Sequence, residues 1–313
     1  MSIATCPVIN LARPAFRVEG RAERRGVPAE HEGSLAVGVL AHLGPAALLV
    51  AGVAMSGFAL TPFVVCFFAA SLLGLVVLVG AEKRSPSVLL DPASAGEVSE
   101  GMALVFAKGV GVGTTVVVGG WLLASHFVRL PWHTAGWAPV AVAVPLTDLA
   151  YYWIHRSLNH SRGTRPVLRW YRKNHARHHD VAALDFFRGN VSSLFDTAVT
   201  GFQIPLAIIA TLLGMDLTTT LVTYALVLLL QGTHHVNHTF NIGALRYVFV
   251  DNHAHKLHHC PKGYLVNHGA IFSLWDRAFG TFYEDWGRSP SYMAKHGIAL
   301  PIRPAGRIVE GRS

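Results

Sequence analysis

Ten histidines fall in four short groups: His155 and His160 in HRSLNH, His175, His178 and His179 in HARHH, His234 and His238 in HHVNH, and His255, His258 and His259 in HKLHH. Neutral imidazole is a good ligand for iron, zinc and copper, and a single ion holds about four to six ligands. Ten imidazoles therefore suit two ions with about five nitrogens each. Two ferrous ions with open positions can bind dioxygen between them, and its reductive cleavage gives an oxidant strong enough for an unactivated C–H bond. Lipid chains and rings offer that type of bond.

The spacing supports a shared site. At about 100° per residue the histidines of HARHH fall within an arc of about 100° on one helix face, and HKLHH repeats the pattern. His234 and His238, four apart, diverge by about 40° on a helix and can reach one metal region, which leaves His235 pointing elsewhere. His155 and His160 diverge by about 140° on a continuous helix, so the helix is expected to end near Arg156 and the chain to bend, with Asn159 suited to the bend. A lone HxxHH beside arginines is also what a solvated or headgroup-facing cluster looks like. Two copies of it, with an HxxxH and an HxxxxH on one membrane face, make that the weaker reading. His31, His42, His126, His133 and His296 take the ordinary structural one.

The elements that must position these groups are apolar. Hydrophobic residues make up 51% of the chain and charged ones 14%, with a mean hydropathy of +0.38, the profile of a membrane protein. Apolar stretches at about 35–57, 59–81, 102–125 and 137–154 are each long enough, or nearly so, to cross a hydrocarbon core of about 30 Å. Two more, at about 194–213 and 217–233, are broken only by Gly214-Met215-Asp216 and predict a tight helical hairpin. The fold expected is therefore all-α, a polytopic bundle of six crossings. Its parts are a basic cytosolic arm over 1–34, membrane helices over 35–136, a catalytic region over 137–286 and a polar tail over 287–313. The arm carries Arg13, Arg17, Arg21, Arg24 and Arg25 but no apolar run long enough for the core of a signal peptide.

Basic residues in the arm, at Lys83 and Arg84, and through 156–177 all belong on the cytoplasmic side. Counting crossings from an inside N-terminus puts His155 and His234 on that same side. The formal charge of +8 suits anionic lipid headgroups rather than nucleic acid. Cys6, Cys66 and Cys260 are too few and too scattered for a disulfide framework or a sulfur-ligated zinc site.

The segments DLAYYWIHRSLNH from Asp148, WYRKNHARHH from Trp170, QGTHHVNH from Gln231, HKLHH from His255 and NHGAIFSLWDRAFGTFYED from Asn267 resemble the fatty acid hydroxylase and sterol desaturase superfamily. The likeness covers about 140–286, and the first 130 residues carry no motif of the family. It implies an almost wholly helical protein with a cytosolic helical cap over its membrane helices and a histidine-bound di-metal centre, di-iron, using dioxygen and external electrons. Carried over by motif, the implied ligands are His155, His160, His175, His178, His179, His234, His238, His255, His258 and His259. His268 stands where the family commonly has Tyr in an Asn-Tyr-Gly unit. It is either a group near the ligands or substrate, or a substitution of one polar ring for another. His253 and His235 are further histidines without an assigned place.

Asp148, Asp180, Asp185, Asp251 and Asp276 could accept hydrogen bonds from the outer imidazole N–H of metal-bound histidines, and Asn190 and Asn267 could join them. For Asp148 a helix cap or an arginine pair is an equal alternative. Trp275, Phe279, Phe282, Tyr283 and Trp286 make an aromatic run that fits an interfacial belt or a path for incoming lipid.

The function expected is oxidation of a C–H bond in a sterol, fatty acyl chain, carotenoid ring or aminolipid, by hydroxylation or desaturation. With no dinucleotide fingerprint and no CxxC motif, electrons must come from a separate ferredoxin-like or haem carrier. Two other classes compete. A metal transporter would place ionisable residues midway through membrane helices. A zinc hydrolase would need about three ligands and a carboxylate base.

Overall fold

The computed structural model describes residues 34–84, 107–128, 130–179, 186, 192–238, 240–259 and 266–283. The arm expected at 1–34 (apart from Ser34), the tail at 287–313, Asp180, Asp185, Asn190 and Trp286 lie outside the described residues. The fold is all-α: among the described residues there is no strand, and only two isolated bridges, Thr134 with Met215 and Phe249 with Phe272.

Helices α1 (Leu35–Ser56) and α2 (Leu60–Arg84) form a hairpin. Gly57, at φ 64°, ends α1 in the left-handed conformation and returns its N–H to the Val53 carbonyl, a turn that glycine makes without steric cost. A π-turn at Ala107–Val112 leads into α3 (Gly113–Phe127). Leu35–Ser56, Leu60–Lys83 and Ala107–Phe127 are long and apolar enough to cross a membrane. Their outward residues, among them Met55, Val65, Phe68, Leu72 and Leu123, form the apolar surface that lipid contact requires.

The other three expected crossings come out differently. Helix α4 (Trp137–Ile154) extends for about 27 Å but carries Asp148 and buries much of its surface inside the bundle. Helices α6 (Gln203–Leu212) and α7 (Leu217–Leu230) rise only about 15 and 21 Å, because a π-turn at Asp196–Thr200 and Gly201 interrupt the first and turns follow Leu230 in the second. They do form the expected hairpin. Gly214 takes φ 66°, Asp216 caps α7 by accepting from Thr219 N at 2.7 Å, and the tip pairs with the α3–α4 link through Thr134 N to Gly214 O and Asp216 N to Thr134 O. Leu49, Val53, Phe63, Val117, Leu206 and Val222 share the central core beneath.

The histidine-bearing elements follow the bundle ends: a π-turn at His155–Asn159, helix α5 (Pro166–His179), a run of turns at 231–235, and helix α8 (Asn252–His259), with short α9 (Leu274–Ala278) closing the region. Pro166 at the first position of α5 and Asp251 before α8, accepting from Ala254 N at 2.7 Å, mark their starts. The first turn of α1 docks backbone to backbone on the segment before Gly243. A Cβ on Gly38 would overlap the Asn241 carbonyl oxygen. Gly38→Ala is therefore expected to cost about 1–3 kcal/mol, read as a lowered unfolding temperature in detergent; an unchanged temperature would mean that this docking adds no stability.

Candidate metal centre

The π-turn after α4 is how one chain segment supplies two ligands. His160 N donates to His155 O at 3.0 Å, the i to i+5 bond of a widened turn, so residues five apart lie one above the other. Their Nε2 atoms are 3.2 Å apart. The expected bend is thus replaced by a local change of helical period.

Helices α5 and α8 then contribute in mirrored fashion. His175 and His179, four apart on α5, join His155, His160 and His258 in one group. His255 and His259, four apart on α8, join His178 and His235 in a second. Each helix gives its i, i+4 pair to one group and its remaining histidine to the other. Within each group the nitrogens offered lie within 4.8 Å of one another, and the stacked rings of His179 and His259, 4.3 Å between centroids, join the groups.

The orientation of the rings settles what these groups can hold. His155 Nδ1 donates to the His268 carbonyl at 2.8 Å, His258 Nδ1 to the Val266 carbonyl at 2.7 Å, and His175 Nδ1 to Asp196 Oδ1 at 3.2 Å. A neutral ring whose proton is held on Nδ1 presents a lone pair at Nε2. Yet His155 Nε2 and His175 Nε2 face each other at 3.1 Å, and His179 Nε2 lies 3.1 Å from His175 Nε2. In the second group His255 Nε2 is 2.9 Å from His235 Nε2 and 3.1 Å from His259 Nε2. His155 and His175, each with its proton held on Nδ1, thus face each other with lone pairs, which repel unless a cation lies between them. Nitrogens about 2.1 Å from one ion and at right angles to each other are about 3.0 Å apart, so the observed separations fit ligands sharing an ion. Burial first, and then neighbouring histidines, hold His155, His160, His179, His235, His255, His258 and His259 well below the ordinary imidazole range, in the neutral form that binds metal.

Of the ten histidines singled out by sequence, the structure brings eight into the two groups. His234 stacks on His255 with centroids 4.6 Å apart, its Nε2 buried without a hydrogen-bond partner, beside the second group but outside it. His238 lies away from both, its ring on Phe240 and its carbonyl accepting from Asn252 and Lys256. His235, expected to point elsewhere, takes part instead. The reason is local: α7 ends at Leu230 and 231–235 are turns, so i, i+4 geometry does not apply to His234 and His238. The His268 ring sits 5.4–5.6 Å, centroid to centroid, from His155, His160 and His258, next to the first group.

The expected carboxylate partners act one step further out. Asp148 touches neither an imidazole nor an arginine. Its buried oxygens accept from Ala270 N at 3.3 Å, Ile271 N at 2.9 Å, Phe272 N at 2.8 Å and Trp275 Nε1 at 2.9 Å. Asp276 accepts from His268 N, Gly269 N and the Thr281 hydroxyl. Asn267, at φ 54°, exchanges hydrogen bonds with the Tyr283 backbone and donates to the Ala254 carbonyl on α8. These three side chains shape the 267–272 loop, and the loop presents the carbonyl that orients His155. Asp251 caps α8 rather than meeting a ring in the bonds described above. Trp275 is held by Asp148, and Phe279 packs on Tyr152 and Trp153 while staying 40% exposed.

Sequence reasoning missed Asp196, whose carboxylate accepts from the ring of His175 in the first group. Its signal was available: an acidic residue inside the apolar stretch 194–213 needs a partner. Asp196→Ala is expected to weaken metal binding about 10–100-fold and to cost about 1–3 kcal/mol for the buried His175 donor it strands, measured by competition with a chelator and by thermal unfolding; unchanged affinity would remove Asp196 from the site. His42 on α1 was also passed over, and it meets Thr233 Oγ1 at 2.8 Å beside His234.

A cavity of about 320 Å³ adjoins the histidines. Its lining includes Ala41, Pro45, Phe67, Leu75 and Leu78 from the first two helices, and Tyr151, Asn159, His175, His178, Gln203 and His235.

Helices long and apolar enough to cross a membrane, with two imidazole groups that could each hold a metal ion, fit a class, the histidine-ligated metal proteins of membranes. Residues 140–281 match the family model described as fatty acid hydroxylase. This match supports the fatty acid hydroxylase superfamily for residues 140–281. The chain is also 28% identical over 183 residues to alkylglycerol monooxygenase of Danio rerio, covering 56% of this chain and 36% of that protein, so it spans about a third of the relative's length. No solved structure matches it.

Proposed function

We propose that this chain is an integral-membrane di-iron oxygenase that hydroxylates a lipid, with its site and N-terminus on the cytoplasmic side. The observation that carries the reading is the pair of adjacent groups in which imidazole Nε2 atoms converge at 2.9–3.2 Å. His155, His160, His175, His179 and His258 would hold one iron, and His178, His235, His255 and His259, with His234 adjacent, the other. Iron bound there supplies reductive activation of dioxygen and oxidation of a C–H bond: substrate, dioxygen, two electrons and two protons give hydroxylated product and water.

The protein's own part is positioning. Helices α1, α2 and α7 wall a cavity that opens the histidines to a lipid tail, and the tail's exclusion of water protects the reaction from side chemistry. The relative's name, alkylglycerol monooxygenase, favours insertion of oxygen into an ether lipid over desaturation. A separate electron carrier, ferredoxin-like or haem-bearing, would dock on the basic face that includes Arg156, Arg169, Arg172 and Lys173. Transport is disfavoured because the grouped histidines lie on elements beyond the ends of the apolar helices.

The test is metal analysis and anaerobic reduction of the purified protein, followed by lipid profiling of cells with and without it. Two irons per chain and a dioxygen-dependent gain of one oxygen atom in one lipid are expected. Active protein with zinc alone, or metal transport without an oxidised product, would refute the reading. Chelation should abolish oxidation and ferrous iron restore it.

A further inference from the structure

The lining of the cavity includes two buried amides with unmet hydrogen-bonding capacity. Asn159, 1% exposed on the π-turn between His155 and His160, has no partner for either Nδ2 or Oδ1. Gln203, 4% exposed at the start of α6, has none for Oε1. The direction of the unmet bonds can be worked out. Tyr224 donates its hydroxyl hydrogen to the Gly109 carbonyl at 2.5 Å, so Gln203, which also hydrogen-bonds that hydroxyl, must do so through its NH₂. Its Oε1 is left as an acceptor without a donor, beside Gly201, on a side chain that lines the cavity. Only a ligand that donates can satisfy it, whereas Asn159 can meet a donor or an acceptor. The rest of the wall toward α1 and α2 is apolar, apart from Ser71. At about 320 Å³ the cavity lies near the lower limit of small-molecule sites, about 300–1,000 Å³, so it takes one end of a lipid rather than the whole of one.

We propose that Asn159 and Gln203 are specificity-determining residues that bind a free hydroxyl on the lipid, so that the substrate is an alcohol-bearing amphiphile inserted oxygen first. The hydroxyl donates to Gln203 Oε1 and Asn159 donates to a polar oxygen of the same end. The carbons held against the histidines are then those near the hydroxyl, not those in the middle of the chain. An alkane or an ether with no hydroxyl lacks the donor that Gln203 requires. The inference rests on the oxygenase reading for the fate of the lipid, and on the cavity alone for its binding.

The test uses full-length, metal-loaded protein in lipid nanodiscs and three labelled probes: 1-dodecanol, dodecyl methyl ether and dodecane. Affinities are compared as the ratio of wild type to variant for each probe, which cancels the partitioning of the probe into lipid. Asn159→Leu should weaken dodecanol about tenfold and dodecane by less than about twofold. Gln203→Met should weaken dodecanol by a similar factor and leave the ether unchanged, while Tyr224→Phe, which removes only the neighbouring hydroxyl, should keep the preference for dodecanol. Equal loss for all probes, or no loss for dodecanol in either amide variant, overturns the proposal. Metal content is measured on each variant, and if Asn159→Leu loses metal, Gln203→Met decides alone. Selective dodecanol binding without oxidised product under dioxygen and reductant would sink the oxygenase reading and leave this one standing. Oxidised product with no selectivity would do the reverse.

Discussion

His235→Ala is expected to leave the protein with about one metal ion per chain and to lower turnover by more than about a hundredfold, beyond the loss that follows removal of an outer partner. His235 Nε2 lies 2.9 Å from His255 Nε2, and the second group has only four histidines, so losing one leaves three. The first group, with five, should keep its ion. The matched control is His238→Ala. Motif transfer makes His238 a ligand, whereas its ring lies against Phe240 and outside both groups. Metal content by plasma emission, together with lipid oxidation, separates the two positions. Loss of an ion from the His238 variant with retention in the His235 variant would overturn the assignment. The contrast is informative because the two residues are three apart in sequence, yet only His235 joins a group.

What could be read in the sequence depended on whether one helical period held. Along α5 and α8 it did, so HARHH and HKLHH were placed on helices with their histidines clustered. The division of each trio between two groups was not legible, because an arc of about 100° is wide enough to face two sites, and only the packing of α5 against α8 decides which. At His155 and His160 the period itself changes: a π-turn aligns residues that α-helical arithmetic sets apart. At HHVNH the helix has already ended, and Gly232 was the available sign of that.

The bundle shows the same limit. Length and hydropathy found the three longest apolar helices, where lipid contact selects residues along a whole surface. They were poorer guides to α4, α6 and α7, which are apolar because other helices cover them as well as because of any membrane. Asp148 illustrates the cost of reading a buried carboxylate by its residue type. Chemistry required it to have partners, but backbone N–H groups more than 120 residues away cannot be seen in a motif.

That carboxylate carries the second large effect expected. Asp148→Ala should destabilise the protein by about 3 kcal/mol or more, since a buried donor left unsatisfied costs about 1–3 kcal/mol and four would lose their acceptor. The unfolding temperature should fall on the order of 6–12 °C. Asp148→Asn should recover little, because an amide offers one acceptor oxygen and turns an NH₂ toward N–H groups. The damage should also reach the metal. The 267–272 loop that Asp148 gathers supplies the His268 carbonyl to His155 Nδ1, so a loosened loop frees a ligand ring and should weaken metal binding about 10–100-fold. Thermal unfolding and chelator competition on the same preparations distinguish the routes. A carboxylate acting directly on an imidazole would lower metal affinity while stranding a single donor, as expected for Asp196→Ala, whereas a carboxylate acting through the loop must lower metal affinity and strand four. If Asp148→Ala unfolds at the wild-type temperature, the four hydrogen bonds do not hold the loop, and the orientation of His155 must come from elsewhere.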